Sequence, residues 1–519
     1  MTRTPPAMDR GTALALVAMA LGVFIIANDF TALSVALPVI EHDFDSDVDE
    51  VQWVINAYAL VFGVLIVTGG RMADVFGRRA IFFIGCAIFA LFSALAGAAQ
   101  NELWLVASRA LMGVGGAMIW PAVLGMTYAI LPSGKAGLAG AIILGTAGLG
   151  NATGPLVGGL LTDTASWRWI LFLNVPIAVF TVFVTWREIH LPPASAATRA
   201  IDYTGIAALS ASLVALLIAL DQVTDSSWRN PFIAGLLAGS AVFMALFVLV
   251  ERRARDRALV PGDVMANRDF AAACVTVLLM SAVFFVAVVY LPQVMQKLFG
   301  YSPLEAGLGL LPLMAVFAAT SFSAGSLFDR FGAKAVVSAG AALIATGMFL
   351  LSFVQTDSGY AALVPGMCVL GLGIGLFYSS VTTAGVTALD PSRASLAGGI
   401  VYMFQVAGGA IGLGITTTLF SAVSDARLAE LASSLRPRIT SSQLAALDGL
   451  LAGRESAHQA VSGFAPPVVT KLLAMVQDSF IAGFQASFRF DAALAAAGFL
   501  VAVLFVGGRA GSSRGVSSG

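Results

Sequence analysis

The chain has 519 residues, of which 58% are hydrophobic and only 11% are charged, and its formal net charge is −1. A soluble domain carries roughly a quarter of charged residues, so a chain this poor in charge cannot cover a water-facing surface, and we predict that lipid surrounds most of it. The Lys and Arg residues are dispersed and form no basic patch, which argues against a nucleic-acid-binding protein.

Fourteen apolar runs are long enough to cross a bilayer, whose hydrocarbon core of about 30 Å needs about 20 helical residues. The first run is too long for a signal-peptide hydrophobic region and is predicted to be a retained helix. The sequence therefore predicts an all-α polytopic membrane protein. The runs lie at 12–40, 51–69, 79–99, 103–131, 136–161, 168–186, 204–221, 231–250, 270–292, 305–328, 333–354, 360–389, 393–421 and 479–507.

The first predicted helix carries an acid, Asp29, about midway along its length. A charge at the centre of a membrane helix costs roughly 2.5–3.5 kcal/mol on insertion scales. Burial favours the neutral, proton-bound carboxyl group, whereas a nearby cation favours the charged form. Asp29 is therefore a candidate site at which a proton and a cationic substrate exclude each other. The alternative is a purely structural contact with a neighbouring helix.

The segment 70–79 joins the second and third predicted helices and reads Gly-Arg-Met-Ala-Asp-Val-Phe-Gly-Arg-Arg. Gly70 and Gly77 permit close approach and a tight turn. Asp74 lies at a helix end, where it can bind an arginine or the N-terminus of a facing helix. The segment therefore predicts a specific junction between helices.

Later helices carry further polar residues that need an explanation. Arg109 is a permanent charge within the fourth helix. Asp491 lies near Arg489 in the fourteenth helix, where it is either a second contact for a cationic substrate or a partner that neutralises this arginine. Among the aromatic residues, Tyr58 and Tyr378 are candidates for lining a substrate cavity.

Two polar stretches interrupt the apolar runs. Residues 251–269 are charged and separate the first eight helices from the last six. Residues 422–478 carry leucines at helical spacing, which predicts a short amphipathic cap on the outer side.

An internal repeat relates the third, fourth and fifth helices to the eleventh, twelfth and thirteenth. It predicts two six-helix bundles, 1–190 and 269–507, with an inserted helix pair and linker at 191–268 and a tail at 508–519. Two like halves around a midplane site are typical of alternating-access transporters. Gly70, Asp74 and Gly77 recur 255 residues later as Gly325, Asp329 and Gly332, while Gly113, Gly115 and Leu138-Ala139-Gly140 recur 258 residues later as Gly371, Gly373 and Leu396-Ala397-Gly398.

The positive charges indicate the orientation of the chain. With the N-terminus inside, 18 of the 28 Lys and Arg residues lie in inner segments and three lie in the short outer loops. The positive-inside rule therefore predicts that both termini are cytoplasmic.

Segment 70–79 resembles the signature loop of the major facilitator superfamily. Four more stretches resemble motifs of its fourteen-spanning drug:proton antiporters of the EmrB/QacA type. The chain departs from the pattern at Val75, Ser34 and Met112, where the family usually has Arg, Asn and Gln. The four stretches are Asp29–Pro38, Arg109 with the glycines that follow it, 150–159 (Gly-Asn-Ala-Thr-Gly-Pro-Leu-Val-Gly-Gly) and Trp167–Pro176.

The resemblance implies a role for each motif. It implies that Asp29 and Arg109 couple transport to protons. It implies a cytoplasmic gate at Gly70, Asp74, Gly77 and Arg78, with Asp329 and Gly332 in the weaker second copy. It implies an antiporter motif in the fifth helix, formed by Gly150, Gly154, Pro155, Gly158 and Gly159.

We therefore expect a monomeric, multi-pass transporter of the cytoplasmic membrane that exports amphipathic, cationic drugs in exchange for protons. The proton gradient is the expected energy source, and the sequence shows no nucleotide loop, metal-ligand spacing or catalytic constellation. One alternative is an exporter of an endogenous metabolite, lipid or siderophore. Another is a membrane receptor or scaffold that moves nothing. Whether an adaptor protein binds residues 422–478 is left open by the sequence.

Overall fold

The computed structural model describes residues 10–46, 48–131, 135–190, 202–223, 230–254, 257–433 and 466–507. Within these ranges the chain is helical, without a β-strand, and 14 helical stretches are long and apolar enough to cross a membrane. The predicted all-α polytopic fold is therefore confirmed. The tail 508–519 and the central part of the predicted cap, 434–465, lie outside the described residues.

Six long helices form the first bundle, and a helix pair follows it. The bundle contains α1 (Arg10–Phe44), α2 (Val48–Phe76), α3 (Arg78–Gly97), α4 (Glu102–Ile130), α5 (Ala136–Thr164) and α6 (Arg168–Glu188), and the pair consists of α7 (Tyr203–Val223) and α8 (Pro231–Ala254). A short helix, α9 (Gly262–Ala266), leads to the second bundle, which contains α10 (Arg268–Lys297), α11 (Pro303–Gly309), α12 (Leu311–Phe331), α13 (Ala333–Leu351), α14 (Leu363–Thr387), α15 (Ala394–Ser433) and α16 (Pro466–Phe505).

The two bundles meet along two seams. Helix α5 packs along α12 at one seam, and α2 packs along α15 at the other. Helix α7 contacts both α2 and α15, so the inserted pair lies against the second seam, and α8 packs chiefly on α7. Most of α8 is exposed apolar surface, as expected for a helix that faces lipid.

A single glycine separates the helices at each copy of the predicted gate. Instead of a loop over 70–79, α2 continues through Phe76 and α3 begins at Arg78. Gly77 lies between them at φ 106°, and Gly332 separates α12 from α13 at φ 82°. A glycine in this region of backbone space reverses the chain without further loop residues. The side of the membrane that holds these two turns is termed the inner side.

The predicted outer cap is partly a continuation of two spanning helices. Helices α15 and α16 each contain 40 residues, which corresponds to about 60 Å, or twice the thickness of the hydrocarbon core. Both extend beyond the membrane on the outer side, where Arg427 binds Asp478 at 3.0 Å. Residues 422–433 and 466–478 of the predicted cap therefore belong to these two helices.

Candidate functional site

Four helices of the first bundle meet at a buried ion pair. Asp29 on α1 binds Arg109 on α4, and both side chains are fully buried. The Asn174 side chain on α6 donates to Asp29 Oδ1 at 3.1 Å. It also contacts the Ser93 hydroxyl on α3 at 3.1 Å, and Ser93 donates to the Leu171 carbonyl at 2.7 Å. The network therefore joins α1, α3, α4 and α6 inside the membrane.

Arg109 keeps contacts that do not depend on Asp29. Its Nε donates to the Val54 carbonyl at 2.9 Å, and its guanidinium carbon lies 4.3 Å from the centre of the Tyr58 ring. Within the described residues, Arg109 Nη2 and the Tyr58 hydroxyl are buried without a hydrogen-bond partner. An arginine stays charged in a protein, so Asp29 is the counter-ion of a permanent charge that is fully buried.

A cavity of about 60 Å³ lies between the two bundles. It has room for a few water molecules, but small-molecule sites usually enclose about 300–1,000 Å³. The bundles are therefore drawn together around a contracted central cavity. Its lining comes from both bundles: Ile26, Ala27, Phe30, Trp120, Leu144, Ala147 and Asn151 from the first, and Phe284, Phe317, Tyr378, Tyr402 and Gln405 from the second.

The ion pair lies behind the wall of this cavity. Asp29 does not line it, but the next residue, Phe30, does. The Phe30 ring lies 4.7 Å from the Tyr58 ring, which in turn covers Arg109. Of the two tyrosines predicted to line the cavity, Tyr378 does so and Tyr58 lies behind the wall. Two aromatic rings therefore separate the ion pair from the space between the bundles.

A second cavity, of about 200 Å³, lies at the α2–α15 seam and is mainly apolar. The inserted helix α7 supplies part of its wall through Leu217 and Ile218, and Phe285 belongs to α10. Asp491 lines neither cavity. Its carboxyl group lies between α15 and α16, inside the second bundle.

On the inner side, Asp74 binds the N-terminus of a helix in the opposite bundle. Its carboxylate accepts hydrogen bonds from the backbone N–H groups of Ser395 and Leu396 at 3.3 and 2.8 Å, in the first turn of α15. Arg78 Nε lies 3.0 Å from the same carboxylate. A carboxylate at a helix N-terminus is stabilised by the exposed N–H groups and the helix dipole. Asp74 thus makes both contacts that its position at a helix end suggested.

Arg78 extends this contact across the seam. It donates to the Gly125 carbonyl at 2.9 Å in its own bundle and to the Pro391 carbonyl at 2.5 Å in the other. The described inner ends of α2 and α15 are therefore held together by a carboxylate and a guanidinium.

The second copy repeats the carboxylate without the guanidinium. Asp329 accepts a hydrogen bond from the backbone N–H of Gly137 at 3.2 Å, in the first turn of α5. Residue 333, which corresponds to Arg78 in the repeat, is alanine. Both seams need glycine at the crossing: a Cβ at Gly70 or Gly325 would lie 2.6 or 2.5 Å from a backbone oxygen of the facing helix.

The predicted antiporter motif presents two faces of α5. A Cβ at Gly154 or Gly158 would lie 1.9 or 2.1 Å from an atom of α1, and a Cβ at Gly150 would lie 3.0 Å from one. These glycines therefore allow α1 to pack directly against α5, close to Asp29. On the other face, Pro155 and Gly159 contact α11 of the second bundle. Helix α5 thus connects the α1 contact to the seam between the bundles.

Sequence reasoning missed the partners that position the acid. Asn174 is a lone amide within an apolar run, which is the signal that could have marked it as a partner of Asp29. Phe30 lies beside the acid in sequence, and Gln405 is a polar residue in an apolar helix. Ser93 offers no comparable signal, because a single serine in a membrane helix usually bonds its own backbone.

Comparison with known proteins places the chain among membrane transporters. A family model described as Major Facilitator Superfamily matches residues 19–413. The chain is 29% identical to the tetracenomycin C resistance and export protein of Streptomyces glaucescens over 94% of its length and 90% of that protein. It is 33% identical to the puromycin resistance protein pur8 of Streptomyces alboniger over 80% of its length and 83% of that protein.

A solved structure shares the fold at low sequence identity. The crystal structure of the human organic anion transporter MFSD10 (TETRAN) matches with a TM-score of 0.62 and 14% identity. The match covers 96% of this chain and 100% of that one. At this identity the likeness concerns the fold alone.

Proposed function

The chain belongs to the major facilitator superfamily, and from that premise we propose that it exports amphipathic, cationic antibiotics or similar compounds in exchange for protons. The family is one of transporters and the tetracenomycin C relative is an export protein, so the protein is a multi-pass membrane transporter and not an enzyme. The observation that carries the proposal of proton exchange is the buried Asp29–Arg109 pair directly behind the wall of the central cavity.

Protonation of Asp29 supplies the coupling step. A proton neutralises the carboxylate and leaves the Arg109 charge without its partner in a fully buried site. Removing one partner of such a pair costs about 3–5 kcal/mol, so Arg109 is expected to move toward other acceptors. Because Tyr58 covers Arg109 and contacts Phe30, this movement reaches the cavity wall. A cationic substrate in the cavity favours the opposite state, in which Asp29 is charged.

Alternating access then exposes the cavity to either side of the membrane. The Asp74 and Arg78 contacts close the inner side in this conformation, and opening inward requires the first turn of α15 to leave Asp74. We propose that the inner side is cytoplasmic and that both termini lie there, as the distribution of Lys and Arg favours. An ion that crosses a potential of 100 mV provides about 2.3 kcal/mol per charge, so the proton gradient can drive export without a cofactor.

Transport by purified protein tests the proposal. Proteoliposomes with an imposed pH gradient are expected to accumulate ethidium, an amphipathic cation, when they contain the wild-type protein. Asp29→Asn is expected to remain folded but to abolish accumulation. Asp43→Asn is the matched control, because Asp43 lies on the same helix in a partly exposed pair with Arg168. Accumulation at the wild-type level by Asp29→Asn would remove the coupling site. A wild-type protein that moves none of a panel of cationic, neutral and anionic compounds would favour a receptor or scaffold.

A second candidate differs only in its cargo. The name of the tetracenomycin C relative joins resistance to the export of one compound, which favours an exporter with a narrow substrate, such as a metabolite, lipid or siderophore made by the cell. Deletion of the gene separates the two candidates. A general exporter predicts sensitivity to several cationic drugs, whereas a narrow exporter predicts that a single product disappears from the medium.

A further inference from the structure

The second bundle contains a buried carboxyl group that has no counter-ion among the described residues. Asp491 on α16 is fully buried. The Thr416 hydroxyl on α15 lies 3.1 Å from Asp491 Oδ1, and within the described residues Asp491 Oδ2 has no hydrogen-bond partner. Arg489, the sequence neighbour that was a candidate partner, is exposed and forms no described ion pair with it. Asp491 thus differs from Asp29, which has Arg109 and Asn174.

Among the described residues, the helices packed around Asp491 form no ion pair with it. Helix α16 packs against α10, α13 and α15, and the Thr416 hydroxyl on α15 is the described hydrogen-bond partner of Asp491. Arg489 lies two residues from Asp491 on the same helix, so its exposed side chain faces a different direction. The other charged side chains on these helices are engaged elsewhere or lie toward the helix ends. They are Arg268, Asp269 and Lys297 on α10, Lys334 on α13, Asp425, Arg427 and Glu430 on α15, and Lys471 and Asp478 on α16.

The position of Asp491 lies within the hydrocarbon thickness. It is 14 residues from the inner end of α16, or about 21 Å along the helix axis. Its helix face continues outward through Phe488, Phe484 and Phe480, which are all buried. A charged carboxylate here would accept one hydrogen bond from the Thr416 hydroxyl but would have no counter-charge among the described residues. A neutral carboxyl group can keep that hydrogen bond without the cost of a buried charge. The surroundings therefore favour the proton-bound form.

The repeat relates this acid to the polar residue that binds Asp29. Leu171, Asn174 and Ala178 form the buried face of α6, and each has a buried counterpart 317 residues later on α16, the sixth long helix of the second bundle. Asn174 corresponds to Asp491 in this register. The second bundle thus carries an ionisable group where the first bundle carries a neutral amide.

The inner gate gives this acid a connection to the transport cycle. Thr416 belongs to α15, whose first turn is held by Asp74. The same helix is fixed to α16 at its outer end by Arg427 and Asp478. When the inner end of α15 leaves Asp74, the helix can shift against α16 between these two points, at the level of Thr416 and Asp491.

We propose that Asp491 is a second proton-binding site, an inference that rests on the proposed antiport. Its carboxyl group holds a proton in this conformation and releases it when α15 shifts, so each cycle moves one proton more than Asp29 alone would carry. The proton enters as H⁺, binds to the carboxylate and leaves as H⁺, so no other reactant is needed.

The number of protons per substrate tests this inference. Proteoliposomes are clamped at zero membrane potential, and the steady-state ratio of ethidium is measured against the imposed pH gradient. Two coupled protons predict that the ratio changes about one hundredfold per pH unit, and one proton predicts about tenfold. We expect the steeper dependence for the wild type and the shallower one for Asp491→Asn. Asp491→Glu, which keeps an acid, is expected to restore the wild-type slope.

Asp425→Asn is the matched control, since this exposed acid lies on α15, outward of Thr416, and is expected to leave the slope unchanged. A purely structural Asp491 predicts the same slope for the wild type and Asp491→Asn, and that result overturns the inference. A wild-type protein without any response to the pH gradient would instead refute the proposed function, and the inference would fall with it.

If Asp491→Asn does not fold, Thr416→Val provides a second test. It keeps the carboxyl group but removes the hydroxyl beside it, and it is expected to shift the pH at which transport is half-maximal. An unchanged pH profile for a folded Thr416→Val protein that transports ethidium would contradict the inference.

Discussion

Removing one partner of the Asp29–Arg109 pair should cost much more stability than removing both. Both side chains are fully buried, so Asp29→Asn leaves a guanidinium and Arg109→Met leaves a carboxylate without a counter-charge. Such single changes cost about 3–5 kcal/mol. We expect losses of unfolding free energy near the lower end of this range. In Asp29→Asn, Arg109 keeps its hydrogen bond to the Val54 carbonyl, and in Arg109→Met, Asp29 keeps its hydrogen bond from the Asn174 amide. A protein with a typical stability of roughly 5–15 kcal/mol would stay mostly folded.

The double variant, Asp29→Asn with Arg109→Met, removes both charges. Its loss of unfolding free energy is expected to be smaller than the sum of the two single losses by about 2 kcal/mol or more. Reversible unfolding in mixed detergent micelles measures these differences. Glu430→Gln is the control, because its pair with Arg427 is 39% and 69% exposed and should contribute only about 0.3–0.5 kcal/mol. None of the three pair variants should show transport driven by a pH gradient. Additive losses in the double variant would show that the two residues do not act as a unit.

Three further changes test other parts of the site. Gly158→Ala places a Cβ 2.1 Å from a backbone oxygen of α1 and should greatly reduce the yield of folded protein. Gly159→Ala meets only side-chain ends, at 3.2 and 3.9 Å, and should be recovered normally on size exclusion. Equal yields would refute the close α1–α5 contact. Asp74→Asn should speed the labelling, from the inner side, of a cysteine placed in the central cavity by about tenfold, since a hydrogen bond to a charged group contributes about 1.5–3 kcal/mol. Asp329→Asn loses one N–H contact and no arginine, so it should increase the labelling rate less. A larger increase for Asp329→Asn than for Asp74→Asn would contradict the gate geometry. Phe30→Ala removes one of the two rings between the cavity and the ion pair and should allow protons to leak without substrate. A pH-sensitive dye inside liposomes measures this leak. A leak equal to that of the wild type would show that Phe30 is not part of the barrier.

The helices could be predicted because their cause is local. Each span is an apolar run of sufficient length, and Gly77 and Gly332 mark the points where the chain turns. The ends of α15 and α16 could not be predicted in the same way. Their continuation past the membrane depends on contacts between the two helices, such as Arg427 with Asp478, and these residues lie 51 positions apart in the chain.

The contacts of the site were harder to predict than its residues. The sequence marks Asp29 and Arg109 as costly charges within spans, and it suggests a helix N-terminus as a partner of Asp74. It does not indicate that Asn174, 145 residues away from Asp29, completes the network. Nor does it indicate that Asp29 lies behind Phe30 instead of facing the cavity. Both features depend on how helices rotate against their neighbours, which side-chain packing decides and hydropathy does not report.

The unequal contacts at the two inner seams have a consequence for the path of a substrate. At the α2–α15 seam a carboxylate receives two backbone hydrogen bonds and an arginine bridges the bundles, whereas at the α5–α12 seam the corresponding acid receives one hydrogen bond. Separation of the bundles should therefore begin between α5 and α12, and the α2–α15 edge should part last, when the first turn of α15 leaves Asp74. An opening along one edge would face the inner leaflet of the bilayer, so a compound dissolved in the lipid could enter sideways before any route from the aqueous phase exists.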